Sequence, residues 1–499
     1  MITNNQIIHK ALKAFHAKDY ALAEKLFQEL KARSPDLVIV PIYLAQLDLL
    51  KFRGSHWIKT LENLLEQKPY LVEAYFVLAQ CYQQAKQLPK AAQTYHQALA
   101  YLMQKKDFDC STDHSEKSDS LAKWDLKVAT ETLWQTLQIL AQKNIPAFPT
   151  SGTLLGLERD GKLLENDKDI DIGLDWLLME QAIAELEHYG YREVQASYGL
   201  MNPRCLQSPS GMIVDLCGYA TEENTGQTVS GLWVKDVPFE LNRVTYYPKI
   251  DLETKNSPAG QVWGLKNAKA FLTALYGDDW QTPDSDFDTI VCAKNLKGFA
   301  PLTQCYAYSR LYKHLSQNRL GKAKRLTQEI LKHHPEDGLT QHLWNQLSSA
   351  IHRQTATKVL AMGCFDLLHI GHLNYFNFAK QQGNYLMVGL ASDKFCQDSK
   401  GHRPTIDQTQ RQALVQSFKM VDETHILPVP MADTPQASEW IEQLGIQKVV
   451  CGQAWQPSEK WQRLQIALAE KGIEVIYAPH TDGVSSTLIK QQVTQRSLS

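Results

Sequence analysis

No two of the nine cysteines, at 81, 110, 205, 217, 292, 305, 364, 396 and 451, stand as C-x-x-C. That excludes the usual zinc knuckles and leaves no disulfide framework to expect. Free thiols suit a reducing compartment, so the expectation is a cytoplasmic protein. No apolar run approaches the ~18 residues of a membrane helix, so no transmembrane segment is expected. The opening MITNNQIIHKALKAF lacks the apolar core and cleavage site of a signal peptide. Nor does one charge prevail. The formal net charge is −2, which gives no reason to expect nucleic acid or an anionic membrane as main partner. What is present, 43% hydrophobic and 21% charged residues over 499 positions, is the balance of a globular chain. At ~150 residues per domain, three or four domains are expected.

The front of the chain repeats itself at a period of about 34 residues. In AYFVLAQCYQQAKQLPKAAQTYHQALA the small and apolar positions are Tyr75, Leu78, Ala79, Tyr82, Ala91, Tyr95 and Ala98. One period earlier they fall on Leu44, Ala45, Leu61, Leu64 and Pro69, and two periods earlier on Ala11, Ala23, Phe27, Leu30 and Pro35. This resembles the tetratricopeptide repeat, in which small residues let two antiparallel helices approach. The resemblance implies an all-α array over residues 1–104, available for a protein partner or for self-association. The polar, aperiodic KKDFDCSTDHSEKSDS predicts a linker over 105–122. Ala323, Ile330 and Pro335 are in phase for one more hairpin, read as a helical linker over 301–353.

Between them lies IPAFPTSGTLLGLERDGKLLENDKDIDIGL, residues 145–174. It reads as a strand, a Ser-Gly-Thr turn, a helix and a second strand. Gly152 lets backbone N–H groups approach a phosphate, and a helix N-terminus favours negative charge there. Asp169 and Asp171 stand two apart, on one face of an extended chain. A later apolar strand, GMIVDLCGY, carries one charge, Asp215, which is costly to bury unless paired or on a metal. Together the three acids make a candidate Mg²⁺ site, since Mg²⁺ binds oxygen and keeps substrate phosphates in its shell.

This segment resembles the LicD/fukutin-type family of the nucleotidyltransferase superfold, over roughly residues 125–295. Gly152, Thr153, Leu154, Leu155 and Gly156 match its turn and Arg159 its arginine. Asp167, Asp169 and Asp171 match its acidic run, and ALYGDDWQTPD (274–284) its closing segment. Asn166 and Lys168 depart from the pattern. The resemblance implies an α+β phosphotransferase domain over 123–300. It would move a phospho-alcohol from a CDP-linked donor to a glycan hydroxyl, with Asp169, Asp171 and Asp215 on the metal and Gly152, Thr153 and Arg159 on the nucleotide. Asp215 or Asp167 would take the proton.

A second constellation is VLAMGCFDLLHIGHLNYFNFAKQQGNYLMVGLASD. It predicts a strand over 358–362, a helix over 371–382 and a strand over 385–391, a βαβ unit that implies a parallel doubly wound sheet. His369 and His372 fall at the start of the helix, where its dipole and two imidazoles converge. Gly371 keeps the space between them open. H-x-G-H after such a strand resembles the cytidylyltransferases that make CDP-glycerol and CDP-ethanolamine, over about 355–493. Gly363, Cys364, Phe365 and Asp366 match the family's turn, Lys400 its basic loop and Arg411 its helix-head arginine. Ser485, Ser486 and Thr487 match its hydroxyl-rich element. His480 and the run Gly452, Gln453, Ala454, Trp455 depart from the pattern.

The resemblance implies an α/β Rossmann-like domain over 354–499 that joins CTP to glycerol 3-phosphate. His369, His372, Lys400 and Arg411 would be catalytic, and the matching turn and hydroxyls would hold the nucleotide. The whole reads as a bifunctional enzyme of bacterial cell-surface polysaccharide synthesis, making CDP-glycerol and spending it on a glycan acceptor. The alternatives are the CDP-ethanolamine equivalent, or a scaffold with one inactive catalytic domain.

Overall fold

The computed structural model describes residues 3–105, 125–165, 167–194, 199–223, 225–456 and 458–497. The expected linker after Lys105, Cys110 and the departure at Asn166 lie outside the described residues. The chain divides into two compact units, residues 1–348 and 349–499.

The first unit opens with three antiparallel hairpins: α1 (Asn4–His16) with α2 (Tyr20–Arg33), α3 (Ile39–Leu49) with α4 (Ile58–Gln67), and α5 (Val72–Gln84) with α6 (Leu88–Lys105). Local chemistry starts them. Thr3 and Gln6 form a reciprocal capping box on α1, and Asp19 caps α2 by accepting from the Leu22 N–H (3.1 Å). Ala11, Ala23, Ala45, Ala79, Ala91 and Ala98 are fully buried. With no side chain beyond Cβ they let the helix axes close, and Phe27, Leu30 and Leu61 fill between them. A left-handed residue turns the chain in each hairpin, at Lys18, Phe52 and Lys86, the same interval as the sequence repeat.

A sheet domain follows. It comprises α7 (Leu126–Gln142), β1 (Ala147–Pro149), α8 (Ser151–Asp160), β2 (Ile170–Asp175), α9 (Met179–His188), β3 (Arg192–Glu193), β4 (Leu200–Asn202), β5 (Arg204–Gln207), β6 (Ile213–Thr221), β7 (Thr228–Val234) and β8 (Arg243–Tyr247). The hairpin β9 (Leu252–Ser257) and β10 (Gly260–Leu265) and the helix α10 (Ala268–Tyr276) complete it. The strand order is β1-β2-β6-β5-β3, with β4, β7 and β8 joined through β7. Only β2–β6 is parallel, and its register sets Asp171 beside Asp215. Behind the sheet, α7 and α9 bury Leu133, Leu137, Leu140, Ile183 and Leu186 on Ile170, Ile172 and Val214.

The chain then returns to the helical array through α11 (Pro301–Ser316), α12 (Leu320–His333) and α13 (Gly338–Thr355). The expected linker hairpin is therefore a continuation of the repeats. It packs α11 on α6: Tyr312 stacks on Phe76 at 4.4 Å, Cys305 donates to Leu88 O, and His96 pairs with Asp337 (3.0 Å). Its turn uses the same device, left-handed Asn318. The sheet domain is thus an insertion between the third and fourth hairpins. Sequence periodicity could not show this, because the insertion breaks the phase.

The second unit has five parallel strands, in the order β13-β12-β11-β14-β15. They are β11 (Lys358–Gly363), β12 (Tyr385–Leu390), β13 (Glu423–Ile426), β14 (Lys448–Gly452) and β15 (Glu474–Ala478). The helices are α14 (Ile370–Gln381), α15 (Asp393–Lys400), α16 (Gln408–Gln416), α17 (Thr434–Gln443), α18 (Glu459–Glu470) and α19 (Ser486–Ser497). One face buries Phe376, Ala379 and Val415 and the other Ile441, Leu464 and Leu468. Both faces covered is what the continuous apolar runs in β11, β12 and β14 require. The chain runs outward from β11 through β12 to β13 and then crosses back to β14 on the other side of β11, so a crevice opens beyond the strand ends between β11 and β14. Among the described residues no helix is long and apolar enough to cross a membrane.

Replacing Tyr312 with Ala removes an aromatic partner across the third and fourth hairpins. A buried aromatic deletion costs about 3–5 kcal/mol and this ring is partly exposed, so about 2–3 kcal/mol is expected. Calorimetry should show the melting of the first unit lowered and that of the second unchanged.

Candidate functional sites

In the first unit a cavity of about 280 Å³ gathers Asp167, Asp169, Asp171 and Asp215 with Ser151 and Gly152. The Ser-Gly-Thr segment forms the first turn of α8 and grips Asp171 from two sides. Gly152 N–H donates to Asp171 Oδ2 (3.1 Å), and Asp171 N–H donates to Thr153 Oγ1 (2.8 Å). A Cβ on residue 152 would stand 2.7 Å from Asp167 Oδ2, so only glycine leaves that carboxylate in place.

The acids are poorly compensated. Burial, then Asp169, pushes Asp167 up to about 6. Burial likewise raises Asp169. Burial followed by Asp169, Asp215 and Asp167 drives Asp171 far above the carboxylate range. Asp215 rises to about 6 through burial, although the Cys205 thiol donates to it. Among the described residues no three His, Cys, Asp or Glu side chains form a closed metal cage. Mg²⁺ does not need one: one or two carboxylates, water and substrate phosphate complete its shell. A set of hard oxygens with unneutralised charge fits that ion.

Arg159 does not line this cavity; its guanidinium is taken by Asp160 (3.0 Å). The basic residues that do are Arg243 and Arg310. Arg243 is buried; its Nε and Nη2 donate to Ile290 O and Thr289 O, and its Nη1 has no partner among the described residues. Arg310 comes from the fourth hairpin and pairs with Asp288. Sequence reading missed both, although an arginine in the strand RVTYY is as anomalous as Asp215 in its own. The closing segment packs behind the site, with Trp280 on Phe271 and Leu272.

In the second unit a cavity of about 400 Å³ lies in the crevice between the ends of β11 and β14. Gly363, Cys364, Phe365, Asp366, His372, Lys400, Ser486 and Thr487 line it, as expected, joined by Lys490, His402 and Trp455. His369 caps α14: its Nδ1 accepts from Gly371 N–H (3.1 Å), which fixes the proton on Nε2. The two imidazoles stack at 3.9 Å. Two cations cannot share that contact. Burial, then His369, lowers His372 to about 4, and burial lowers His369. Both are neutral near pH 7, and His372 Nδ1 is buried without a partner among the described residues.

A Cβ on Gly371 would meet the His369 ring at 3.0 Å and Val484 at 3.4 Å. Asp366 is the anchor of the far wall. Burial alone would raise it, but Lys490 (2.8 Å) and the N–H groups of Thr405 and Ile406 hold it at about 2. Ser486 Oγ donates to its carbonyl (2.6 Å), while Ser485 turns away to cap α19 through the Leu488 N–H (3.1 Å). Lys490, one turn beyond Ser486, was detectable from that spacing.

Arg411 is not a phosphate ligand. Its side chain is fully buried. It donates from Nε to Ile406 O, from Nη1 to Cys364 O, and from Nη2 to Ala391 O and Asp393. It ties the β11 turn to the start of α15 and so positions both, without facing the cavity.

The family described as Cytidylyltransferase-like matches residues 360–492. Over 136 residues the chain is 31% identical to glycerol-3-phosphate cytidylyltransferase of Staphylococcus aureus (strain NCTC 8325 / PS 47), covering 27% of this chain and 94% of that protein. The chain belongs to this family through its second unit. The Bacillus subtilis (strain 168) glycerol-3-phosphate cytidylyltransferase is also 31% identical over 136 residues, with 27% of this chain and 96% of that one covered. Among solved structures, a lipopolysaccharide core biosynthesis protein from Thermoplasma volcanium GSS1 is 25% identical, covering 25% of this chain and 97% of that one, with a TM-score of 0.21.

Two outcomes follow from the electrostatics. Asp167 and Asp215 titrate near 6 in the folded chain and near 3.8 unfolded. A raised carboxyl stabilises below its unfolded value and loses that contribution as pH rises through the folded one. Metal-free protein should therefore lose stability between about pH 4 and 7. Asp215→Asn should flatten that loss and shrink the gain from added Mg²⁺, as read by thermal melting. In the cytidylyltransferase-like unit, NMR titration of the free protein should place His372 near 4. CTP should raise it, because an anion favours the imidazolium.

Proposed function

We propose that the second unit makes CDP-glycerol from CTP and glycerol 3-phosphate, and that the first unit transfers the phosphoglycerol group to a glycan. The observation that carries the first half is the stacked His369–His372 pair at the start of α14, of which His372 lines a cavity that also holds Lys400 and Lys490. An oxygen of glycerol 3-phosphate attacks the α-phosphorus of CTP in line, the α–β bridging bond breaks, and pyrophosphate leaves. In such a transfer the protein positions and stabilises charge more than it bonds. Neutral imidazoles act as N–H donors and take on positive character as charge grows on the phosphoryl oxygens. Lys400 and Lys490 balance the departing pyrophosphate, and the N-terminus of α19 with Ser486 and Thr487 receives it.

In the first unit, Mg²⁺ held by Asp169 and Asp171, with Asp215 beside them, would screen the donor pyrophosphate and its leaving CMP. Arg243, which lines the same cavity, would add a positive charge for the donor's phosphates. Asp167 is the better proton acceptor, because Asp215 already accepts from the Cys205 thiol. The small cavity accommodates the phosphates and leaves the nucleoside outside. The setting this implies is bacterial surface-polymer synthesis in the cytoplasm, with the helical array, read as tetratricopeptide-like, holding a partner protein. One observation favours ethanolamine phosphate as second substrate: half-exposed Trp455 in the same cavity offers a ring face to an ammonium group.

Incubation with CTP, Mg²⁺ and a panel of alcohol phosphates, read by mass spectrometry, tests this. CDP-glycerol should form fastest. His372→Ala should reduce that step by on the order of 10²–10³, the cost of a lost transition-state donor, while leaving transfer from supplied CDP-glycerol intact. Asp171→Asn should do the reverse. If a folded single mutant loses both activities, the two sites are one. Equal use of choline phosphate, or of ATP, defeats the substrate assignment.

A further inference from the structure

The reaction above uses neither the Cys364 nor the Cys396 thiol, yet their Sγ atoms lie 3.2 Å apart. Cys364 sits in the turn after β11, partly exposed at the nucleotide cavity. Cys396, on α15, lines the same cavity and is 2% exposed. We propose that this pair is an oxidative modification site, at which peroxide forms a reversible disulfide that distorts the triphosphate end of the cavity.

The two sulfurs need to close from 3.2 Å to about 2.05 Å. The turn is the firm side. Phe365 and Leu367 are both left-handed there, the Phe365 ring fills the space over Gly363, and Arg411 holds the Cys364 carbonyl. Arg411 also pins the first residue of α15, Asp393. The free end of this eight-residue helix is its last turn, which carries Lys400 four residues after Cys396 and on the same face. Closure therefore displaces Lys400 by about 1 Å, and misplacement on that scale can cost on the order of 10²-fold in rate.

The chemistry has a defined order. Burial, followed by the neighbouring Cys364, raises the Cys396 thiol to about 12, so it is a poor first nucleophile. Cys364, which the cavity exposes, attacks one oxygen of hydrogen peroxide. The O–O bond breaks, and Cys364 becomes a sulfenic acid with release of water. The Cys396 sulfur then attacks the Cys364 sulfur, the S–O bond breaks, and the hydroxyl leaves with the Cys396 proton as a second water. Two thiols have lost two electrons and two protons, and one peroxide has become two waters. A dithiol reverses the bond by exchange.

The effect on turnover rests on the cytidylyltransferase reading; the crosslink does not. Full-length protein treated with hydrogen peroxide should give, in a non-reducing peptide map, a Cys364–Cys396 pair lighter by two hydrogens. CTP-dependent pyrophosphate release should fall by roughly 10–100-fold and return with dithiothreitol. Cys396→Ser, with Cys396→Ala as a second variant, should give no crosslink and instead accumulate a dimedone-reactive sulfenic acid at Cys364. A crosslink that leaves the rate unchanged overturns the proposal. So does peroxide treatment that oxidises other cysteines and leaves this pair unlinked. If reduced protein shows no turnover, the cytidylyltransferase reading fails, and the crosslink still decides whether the site exists.

Discussion

Four carboxylates brought together out of water at the parallel β2–β6 pair are the constraint on which the first unit depends. Each acid is raised by burial, and most of them further by a neighbouring acid. Among the described residues no hydrogen bond or neighbouring cation brings Asp167 or Asp215 back to the ordinary carboxylate range. The register that sets Asp171 beside Asp215, and Asp215 beside Cys205, stores this repulsion in the centre of the sheet. The packing of α7 and α9 behind it holds the strands in place regardless. The basic groups at the cavity, Arg243 and Arg310, are themselves engaged, by the carbonyls of Ile290 and Thr289 and by Asp288.

The second unit shows the opposite treatment of buried charge. Arg411 is as deeply buried, but its guanidinium donates to three carbonyls and to Asp393. A fully partnered charge is scaffold; an under-partnered one is a site. The same distinction separates Arg243, whose Nη1 has no partner among the described residues, from Arg159, which is spent on Asp160.

Insertion of the sheet domain into the helical array couples two parts that look independent in the chain. The fourth hairpin supplies Arg310 to the wall of the acidic cavity, where it pairs with Asp288, just beyond the sheet domain's closing segment. In the second unit no comparable coupling is needed, since one βαβ crossover and the α19 N-terminus already converge on one crevice.

The sequence by itself determined the elements and most of the chemistry. Small residues at a fixed interval specified the hairpins. The strand, turn and helix around His369 and His372 fall within about a residue of their expected bounds, and the acids at 167, 169, 171 and 215 were legible as anomalies in apolar or phosphate-cradling surroundings. These signals are local, set by period and by the cost of burying charge. Only the tertiary structure decided what is non-local. It showed that residues 301–333 continue the array, that Arg411 faces inward, that Ser485 caps a helix, and that Arg243, Arg310 and Lys490 enter the cavities. It also brought two cysteines 32 positions apart into contact. Each of these depends on which groups satisfy a buried donor or acceptor, and that is settled by packing between distant segments rather than by any pattern along the chain.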